Sequence, residues 1–438
     1  MPLGDKRLRV AVIGTGISGM SAAWLLSQSC EVVVYEQARR LGGHSNTIDV
    51  PGAGPVDMGF IVYNPATYPN LTALFQHLDV PTQDSDMSFA VSRGAGGKEY
   101  AGTGLNGLFA QRRNLVDPRF WAMLRDLVRF YRQASRDAVG GLPESLSLGE
   151  YLVANRYGEA LLHDHILPMA AAIWSTPAER MTDYPAAAFL RFCRNHGLLQ
   201  LAGRPAWRTV VGGSREYVRR LTAPYAGQIR LGCGVRQIRR DAGDIRILDT
   251  AGEEATYHHV VIAAHADQAL GMLADATAQE AELLGALRYR DNDAVMHRDA
   301  RLMPRRRAVW ASWNYMSVQT GDTAPPFVSY WMNRLQPLRD KAPVFVTLNP
   351  TAAPAAVIHR ESYAHPQFDA AAMAAQRRLW SIQGTRRTWY CGAYFGAGFH
   401  EDGLQAGLAV AEALGGVRRP WRVPEESGRI CLAPSIAA

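Results

Sequence analysis

The run VAVIGTGISGMSAAWLL, residues 10–26, constrains this chain more than any other stretch. Residues 8–13 (LRVAVI) form a short, β-branched segment that reads as a buried parallel strand. A glycine turn follows, then a helix to about Gln28, then a second strand over 31–35, which together make a βαβ unit. Gly14, Gly16 and Gly19 stand in GxGxxG spacing. Gly14 permits the tight turn, Gly16 lets backbone approach a pyrophosphate, and Gly19 lets helix and strand pack closely. Ile17 and Ser18 open the helix, whose first N–H groups lack partners and so favour phosphate oxygens. Glu36 closes the second strand 22 residues beyond Gly14, with Gln37 beside it, where a carboxylate reaches a ribose diol. The spacing predicts a dinucleotide over this turn.

At 438 residues the chain exceeds one ordinary core, which predicts about two or three domains. From about 105 to 205 the pattern is mainly helical. Its clearest case is 118–138, with Phe120, Trp121, Leu124, Leu127, Val128 and Tyr131 on one face. Arg125, Arg129, Arg132 and Arg136 form a stripe on the other. Residues 228–263 read as a β-meander with turns at DAGD and AGEE, and 285–350 are β-rich. A last strand over 388–392 leads through a glycine-rich bend into a helix over 404–414, and the tail after Gly416 reads as peripheral. Nucleotide-type and other segments alternate. The expected fold is therefore α/β: a Rossmann-type domain (1–65, 205–284, 385–438) interleaved with a helix-plus-sheet domain (66–204, 285–384).

Composition excludes several classes. Hydrophobic content of 47% with 20% charged residues describes a globular chain. No window approaches the roughly 18–20 apolar residues of a spanning helix, and the first residues lack an apolar signal core. Five scattered cysteines, none in CxxC spacing, suit a reducing compartment. The expected location is cytoplasmic, with or without contact at the inner membrane face. The net charge of +7 suits an anionic ligand or lipid surface, and no nucleic-acid module accompanies it. The arginine stripe fits a helix on an anionic bilayer and equally a domain helix with its charged face in water. There is no GxSxG, HExxH or Walker loop, and one GxGxxG argues against a second, NAD(P)H-binding domain. His163 and His165 are spaced like a metal pair, but no third ligand stands out, so no metal is expected.

After Glu36 the chain reads EQARRLGGH. This resembles the ExxxRxGG element of the flavin-containing amine oxidase superfamily, which includes phytoene-desaturase-like enzymes. The resemblance implies FAD, with Arg40, Gly42 and Gly43 following its pyrophosphate and His44 standing where many members have arginine. It implies that Val235 covers the adenine through its backbone. CGAYFGAGFHEDGLQAGLAVAEAL resembles the C-terminal flavin motif, placing Gly392 and Gly403 near the ring at a helix N-terminus. Such a helix end stabilises negative charge by about 0.3–2 kcal/mol. Members commonly carry an acid after the strand's glycine. Here Ala393 follows Gly392, so Glu401 or Asp402 must serve or the contact is lost. In Asp57-Met58-Gly59-Phe60, Gly59 reads as a close approach to the flavin.

At closer range the chain resembles a bacterial branch of NAD/FAD-binding proteins. The matching stretches include VDMGFIVYNPATYPNLTALF, MHRDARLMP and WMNRLQ. That branch accompanies cyclopropane-fatty-acid-synthase-type methyltransferases, and its relatives are linked to desaturating methylated acyl chains. Amine oxidases of the superfamily often use a lysine near flavin N5. This chain has only Lys6, Lys98 and Lys341, none on the comparable strand, where His297 is the nearest candidate base. His400 lies beside the flavin helix, with Tyr394, Phe395 and Phe399 either lining a cavity or packing a bend. Cys391 leaves a covalent flavin link open. The expected activity is an FAD-dependent dehydrogenase or desaturase of an apolar small molecule, a lipid acyl chain, passing electrons to oxygen, a quinone or a protein carrier. Amine oxidase, double-bond isomerase and flavin redox sensor stand as alternatives.

Overall fold

The computed structural model describes residues 7–143, 145–174, 181–195, 197–200, 203, 205–241, 243–317, 326–339 and 342–432. Lys6 and Lys341 lie outside the described residues.

The β-branched segments build a five-stranded parallel sheet in the order Thr388–Tyr390, His259–Ile262, Arg9–Ile13, Glu31–Glu36, Ile229–Leu231. Val10, Ala11, Val12 and Val34 are wholly buried, as expected of a parallel sheet covered on both faces. The helix Ile17–Leu26 is buried along its whole length between this sheet and the helix His400–Gly415. From Arg9–Ile13 the chain turns to one neighbour, and His259–Ile262 occupies the other side. The carboxyl end of that strand is thus a switch point, where such sheets hold their ligands. The expected meander is smaller than its sequence span. Val235–Arg240, Ile245–Asp249 and Glu254–Tyr257 form it, while Ile229–Leu231 and His259–Ile262 leave to join the parallel sheet.

The second unit is a seven-stranded sheet in the order Val357–Gln367, Arg288–His297, Phe345–Leu348, Phe327–Trp331, Trp313–Met316, Phe89–Arg93, Lys98–Ala101. Its pairs are antiparallel except Trp313–Met316 with Phe89–Arg93. Helices carry a separate core containing Phe130, Tyr151, Phe189 and Leu190. The longest, Pro118–Gly140, is capped by Asp117, whose carboxylate accepts from the N–H groups of Arg119 and Phe120. It buries Phe120, Met123, Leu127, Phe130 and Tyr131, whereas Trp121 is half-exposed and belongs to the outer face. Among the described residues, no helix is long and apolar enough to cross a membrane.

Two expectations at the C-terminal end are corrected. The last helix is His400–Gly415, four residues earlier than its apolar pattern suggests, because the Asp402 carboxylate accepts the Phe399 N–H (2.8 Å) and caps the first turn. The tail is integral, not peripheral. Arg419 is buried with its guanidinium on Glu412 and Asn70, Trp421 stacks on Trp24, and Arg429 reaches Asp402.

Candidate functional site

The turn after the first strand is built from close backbone contacts. A Cβ on Gly19 would stand 2.0 Å from the Gly14 carbonyl oxygen, and one on Gly14 (φ +98°) would stand 2.9 Å from that of Ala263. A Cβ on Gly16 would meet nothing within 4 Å, so its open side is where a pyrophosphate fits. The loop of Arg40 to Gly43 lies across this turn. The Gly42 N–H donates to the Thr15 carbonyl (3.1 Å), the Gly43 Cα would carry a Cβ only 3.1 Å from that of Gly16, and Arg40 donates to the Gly43 carbonyl (2.7 Å). Glu36 accepts from the Thr15 N–H (2.9 Å), the Thr15 hydroxyl (2.5 Å) and the Ala38 N–H (2.8 Å). These donors fix the carboxylate at the sheet edge and leave lone pairs for a diol. Gln37 is exposed beside it. The Gly232 and Cys233 N–H groups donate to the Ala38 and Glu36 carbonyls, which carries Val235 to the same corner.

Ile17 and Ser18 serve twice: they form the first turn of one helix and touch the first turn of the other. A Cβ on Gly403 would be 2.7 Å from Ser18 Oγ and 2.9 Å from Ile17 Cγ2. Two helix N-termini therefore converge on one place, doubling the partial positive charge there. Gly403 serves this crossing. Gly392 is extended and lies against the Tyr394 ring, which a Cβ would strike. The two acids are used by the protein itself. Glu401 accepts from the Asn70 and Leu71 N–H groups, and Asp402 pairs with Arg429 (2.6 Å) and the Phe399 N–H. Burial raises both pKa values above the usual carboxylate range. Asp402 is thus a cap and ion-pair partner.

Beyond the glycine loop lies a wall of neutral rings. His44 stacks on Tyr363 (4.8 Å between ring centres) and His365 (5.7 Å). Asn46 donates to Tyr363 Oη (3.0 Å), and Arg40 stands 3.6 Å from Glu361. Glu361, Tyr363 and His365 alternate along one strand and so share a face. His400 Nε2 lies 2.7 Å from Tyr217 Oη and 3.2 Å from Ser45 Oγ, and its ring stacks on Phe60 at 3.8 Å. Ser45 and Tyr217 are themselves hydrogen-bonded. Burial lowers the pKa of His44 well below its ordinary value, and lowers those of His365 to about 4 and His400 to about 3. These imidazoles are neutral at pH 7. Asp57 locks Ser214 and Gln336 together, and burial raises its pKa to about 6. Gly59 is a close-approach glycine, but toward the chain: a Cβ would stand 2.1 Å from the His44 carbonyl oxygen.

His297 is not brought to this place. Its strand begins at the site, where Tyr289 stacks on His265 and takes the Ala266 N–H. His297 is eight residues further, about 26 Å along an extended strand. There its Nδ1 accepts the Asp299 N–H (3.0 Å) and its Nε2 meets Thr347 Oγ1 (2.8 Å). Both nitrogens are satisfied in a buried sheet, so it is a structural histidine. Lys98 lies with Asp164 (2.9 Å) and Asp117, away from the site. His165 is held by Tyr100 and Tyr131, and among the described residues no three His, Cys, Asp or Glu side chains gather for a metal. Tyr394 and Phe395 are core packing, whereas Phe399 crosses to stack on Phe192 of the helical core (5.0 Å). The Cys391 thiol is wholly buried, which raises its pKa. Sequence reading missed Ser45, Asn46, Tyr217 and the Glu361–Tyr363–His365 row. Only the row carries a signal, polar alternation within RESYAHPQ.

The family model described as "Flavin containing amine oxidoreductase" matches residues 17–295. No curated protein matches the chain. Among solved structures, a CLA-producing fatty acid isomerase from P. acnes is similar at 16% identity, covering 94% of this chain and 98% of its own, with a TM-score of 0.65. Putrescine oxidase is similar at 13% identity, 93% and 98% coverage and a TM-score of 0.68. Cyclohexylamine oxidase from Brevibacterium oxydans is similar at 16% identity, 93% and 99% coverage and a TM-score of 0.65. At these identities the likeness is one of fold. The open Gly16, the Glu36 carboxylate and the paired helix ends fit the family's FAD. The chain belongs to the flavin-containing amine oxidoreductase family and is an FAD-binding, flavin-dependent oxidoreductase.

Proposed function

We propose that this oxidoreductase is a dehydrogenase or desaturase of a neutral, apolar substrate, namely a methylated or unsaturated fatty acyl chain. The observation that carries this reading is the charge of the wall: His44, His365 and His400 are all held neutral by burial. Of the carboxylates that act on Tyr363, Glu361 is already engaged by Arg40, His359 and Asn46, and Asp57 is buried on Ser214 and Gln336 with its pKa raised. Lys98, the lysine among the described residues, is committed to Asp164 and Asp117. The fold shared with a fatty acid isomerase supports an acyl substrate, and the fold shared with two amine oxidases supports the rival reading.

Bound FAD supplies a hydride acceptor, so the chain's own work is to bind, orient and exclude water. The convergent helix ends hold the cofactor's negative charge. The stacked His44, Tyr363 and His365 give a flat, uncharged surface. With its pKa near 3, His400 is a poor acceptor of a substrate proton, and its hydrogen bonds with Tyr217 and Ser45 position both hydroxyls. We therefore assign the substrate's proton to water.

Anaerobic mixing with vesicles of methyl-branched or monounsaturated phospholipid should bleach the flavin absorbance, and amines should leave it unchanged. Bleaching by amines alone overturns the proposal. Movement of a double bond without net bleaching assigns an isomerase instead, and silence toward both assigns a redox sensor.

A further inference from the structure

We infer that the outer face of the helix Pro118–Gly140 is a binding site for the phosphate headgroups of an anionic bilayer. This stands whatever the substrate of the flavin site. The helix is 23 residues long, about 34 Å, and its outer stripe runs Trp121, Arg125, Arg129, Arg132, Arg136, Val139 at spacings of three and four residues. Beside it opens a cavity of about 430 Å³ lined by Arg129, Arg132, Gln133, Arg136, Asn155 and Tyr157.

The walls are fixed by the protein. Arg129 lies over the Tyr157 ring (4.5 Å), donates to the Asn155 carbonyl (2.5 Å) and pairs with Asp126. Gln133 is tied to Asp137, whose other partner is Tyr151. Asp126 is thus paired with Arg125 and Arg129, and Asp137, held by neutral Gln133 and Tyr151, keeps a single negative charge that the cavity's three arginines outnumber. Arg132 and Arg136 differ: both are exposed, and neither has an ion-pair partner among the described residues. They lie one turn apart, about 6 Å, so two guanidinium forks can close on one phosphate.

Apolar side chains flank this charge; Trp121 is anchored on Phe109 and the Leu115 carbonyl with its outer side in water, and Val139 and Val153 are open to solvent. Trp121 is 49% exposed at one end of the stripe and Val139 73% at the other, with Val153 at 77% two residues before Asn155. Cations at the centre and apolar groups at the ends suit a helix lying flat on lipid, with phosphates in the cavity and apolar tips among the acyl chains.

The test is co-sedimentation of the FAD-loaded protein with vesicles of phosphatidylglycerol in phosphatidylcholine. The wild type should bind these and not pure phosphatidylcholine. Arg132→Ala with Arg136→Ala should weaken binding roughly thirtyfold, at about fivefold from each arginine at an anionic surface. Flavin absorbance and melting temperature report that the variant remains folded. Arg219→Ala with Arg246→Ala removes the same charge elsewhere and should weaken binding less than about threefold. Val139→Ser with Val153→Ser should weaken binding without altering charge. Equal binding to neutral vesicles, or equal loss in the two arginine pairs, overturns the inference. So does release of the protein by inorganic phosphate at matched ionic strength, which would make free phosphate the ligand.

Discussion

The glycine turn of residues 14–19 and the wall of His44, Tyr363 and His365 stand on either side of the Arg40–Gly43 loop, but they are made of different material. The turn is backbone: its tolerances are the 2.0 Å that separates a Gly19 Cβ from the Gly14 carbonyl and the empty space around Gly16. The wall is side chains from residues more than 300 positions apart, joined by stacking and by Asn46 donating to Tyr363. A backbone site can be written within a few consecutive residues, because only glycine meets its steric terms. A side-chain site needs the whole fold before its members meet.

The sharpest way to break this contrast lies inside the turn. Gly19→Ala should destabilise by about 4 kcal/mol or more, since the clash is with backbone, and should yield little folded protein. Gly16→Ala should leave the apoprotein's melting temperature unchanged while FAD affinity falls by about tenfold or more, read by flavin fluorescence titration. A stable, FAD-replete Gly19→Ala protein would remove the distinction between the two glycines.

Next in size is the C-terminal tail, which joins the glycine-turn side through Trp421 on Trp24, Arg419 on Glu412 and Arg429 on Asp402. Arg429→Ala leaves Asp402 buried without its partner and should cost about 3–5 kcal/mol, seen by chemical denaturation. Unchanged stability would show that the tail is peripheral after all.

Smaller effects separate the wall from the distant sheet. His297→Gln should cost about 1–3 kcal/mol of stability through its two buried hydrogen bonds, with turnover retained. His400→Gln should instead perturb the flavin's absorbance spectrum, because His400 orients Tyr217 and Ser45. A turnover-dead but stable His297→Gln would return His297 to the site.

The smallest effect is the pH dependence. His365 and His400 have folded pKa values of about 4 and 3, below the ordinary 6.5, so the unfolded chain binds more protons between these limits. Their contribution is full above pH 6.5 and is lost as pH falls through the folded values. Asp57, raised to about 6, acts oppositely, its contribution falling as pH rises through 6. His365→Asn should therefore flatten the decline of melting temperature between pH 6.5 and 4 by a few degrees. An unaltered slope would mean that His365 is not held neutral.

Much of the first unit was legible because its terms are local. The βαβ unit, Glu36 and the RxGG loop stand where their spacing implies, since each sits within a few residues of the backbone it serves. Trp121 was misplaced because a long helix has intermediate positions that periodicity alone assigns to either face. The last helix began earlier than its apolar pattern because capping by Asp402, not hydrophobicity, decides the first turn. His297 was the nearest candidate base by resemblance to the strand that carries a lysine in amine oxidases, and a strand says nothing about which of its ends faces the cofactor.

Sequence alone determined the family's dinucleotide grip, because glycine sterics and an acid at a strand end are satisfied by neighbours along the chain. Only the tertiary structure decided which polar groups remain free to act. It spent Glu401, Asp402 and His297 on the protein's own hydrogen bonds and gathered His44, Asn46, Tyr363, His365 and His400 into a neutral wall. Burial sets both outcomes, and burial is a property of packing between segments distant in sequence.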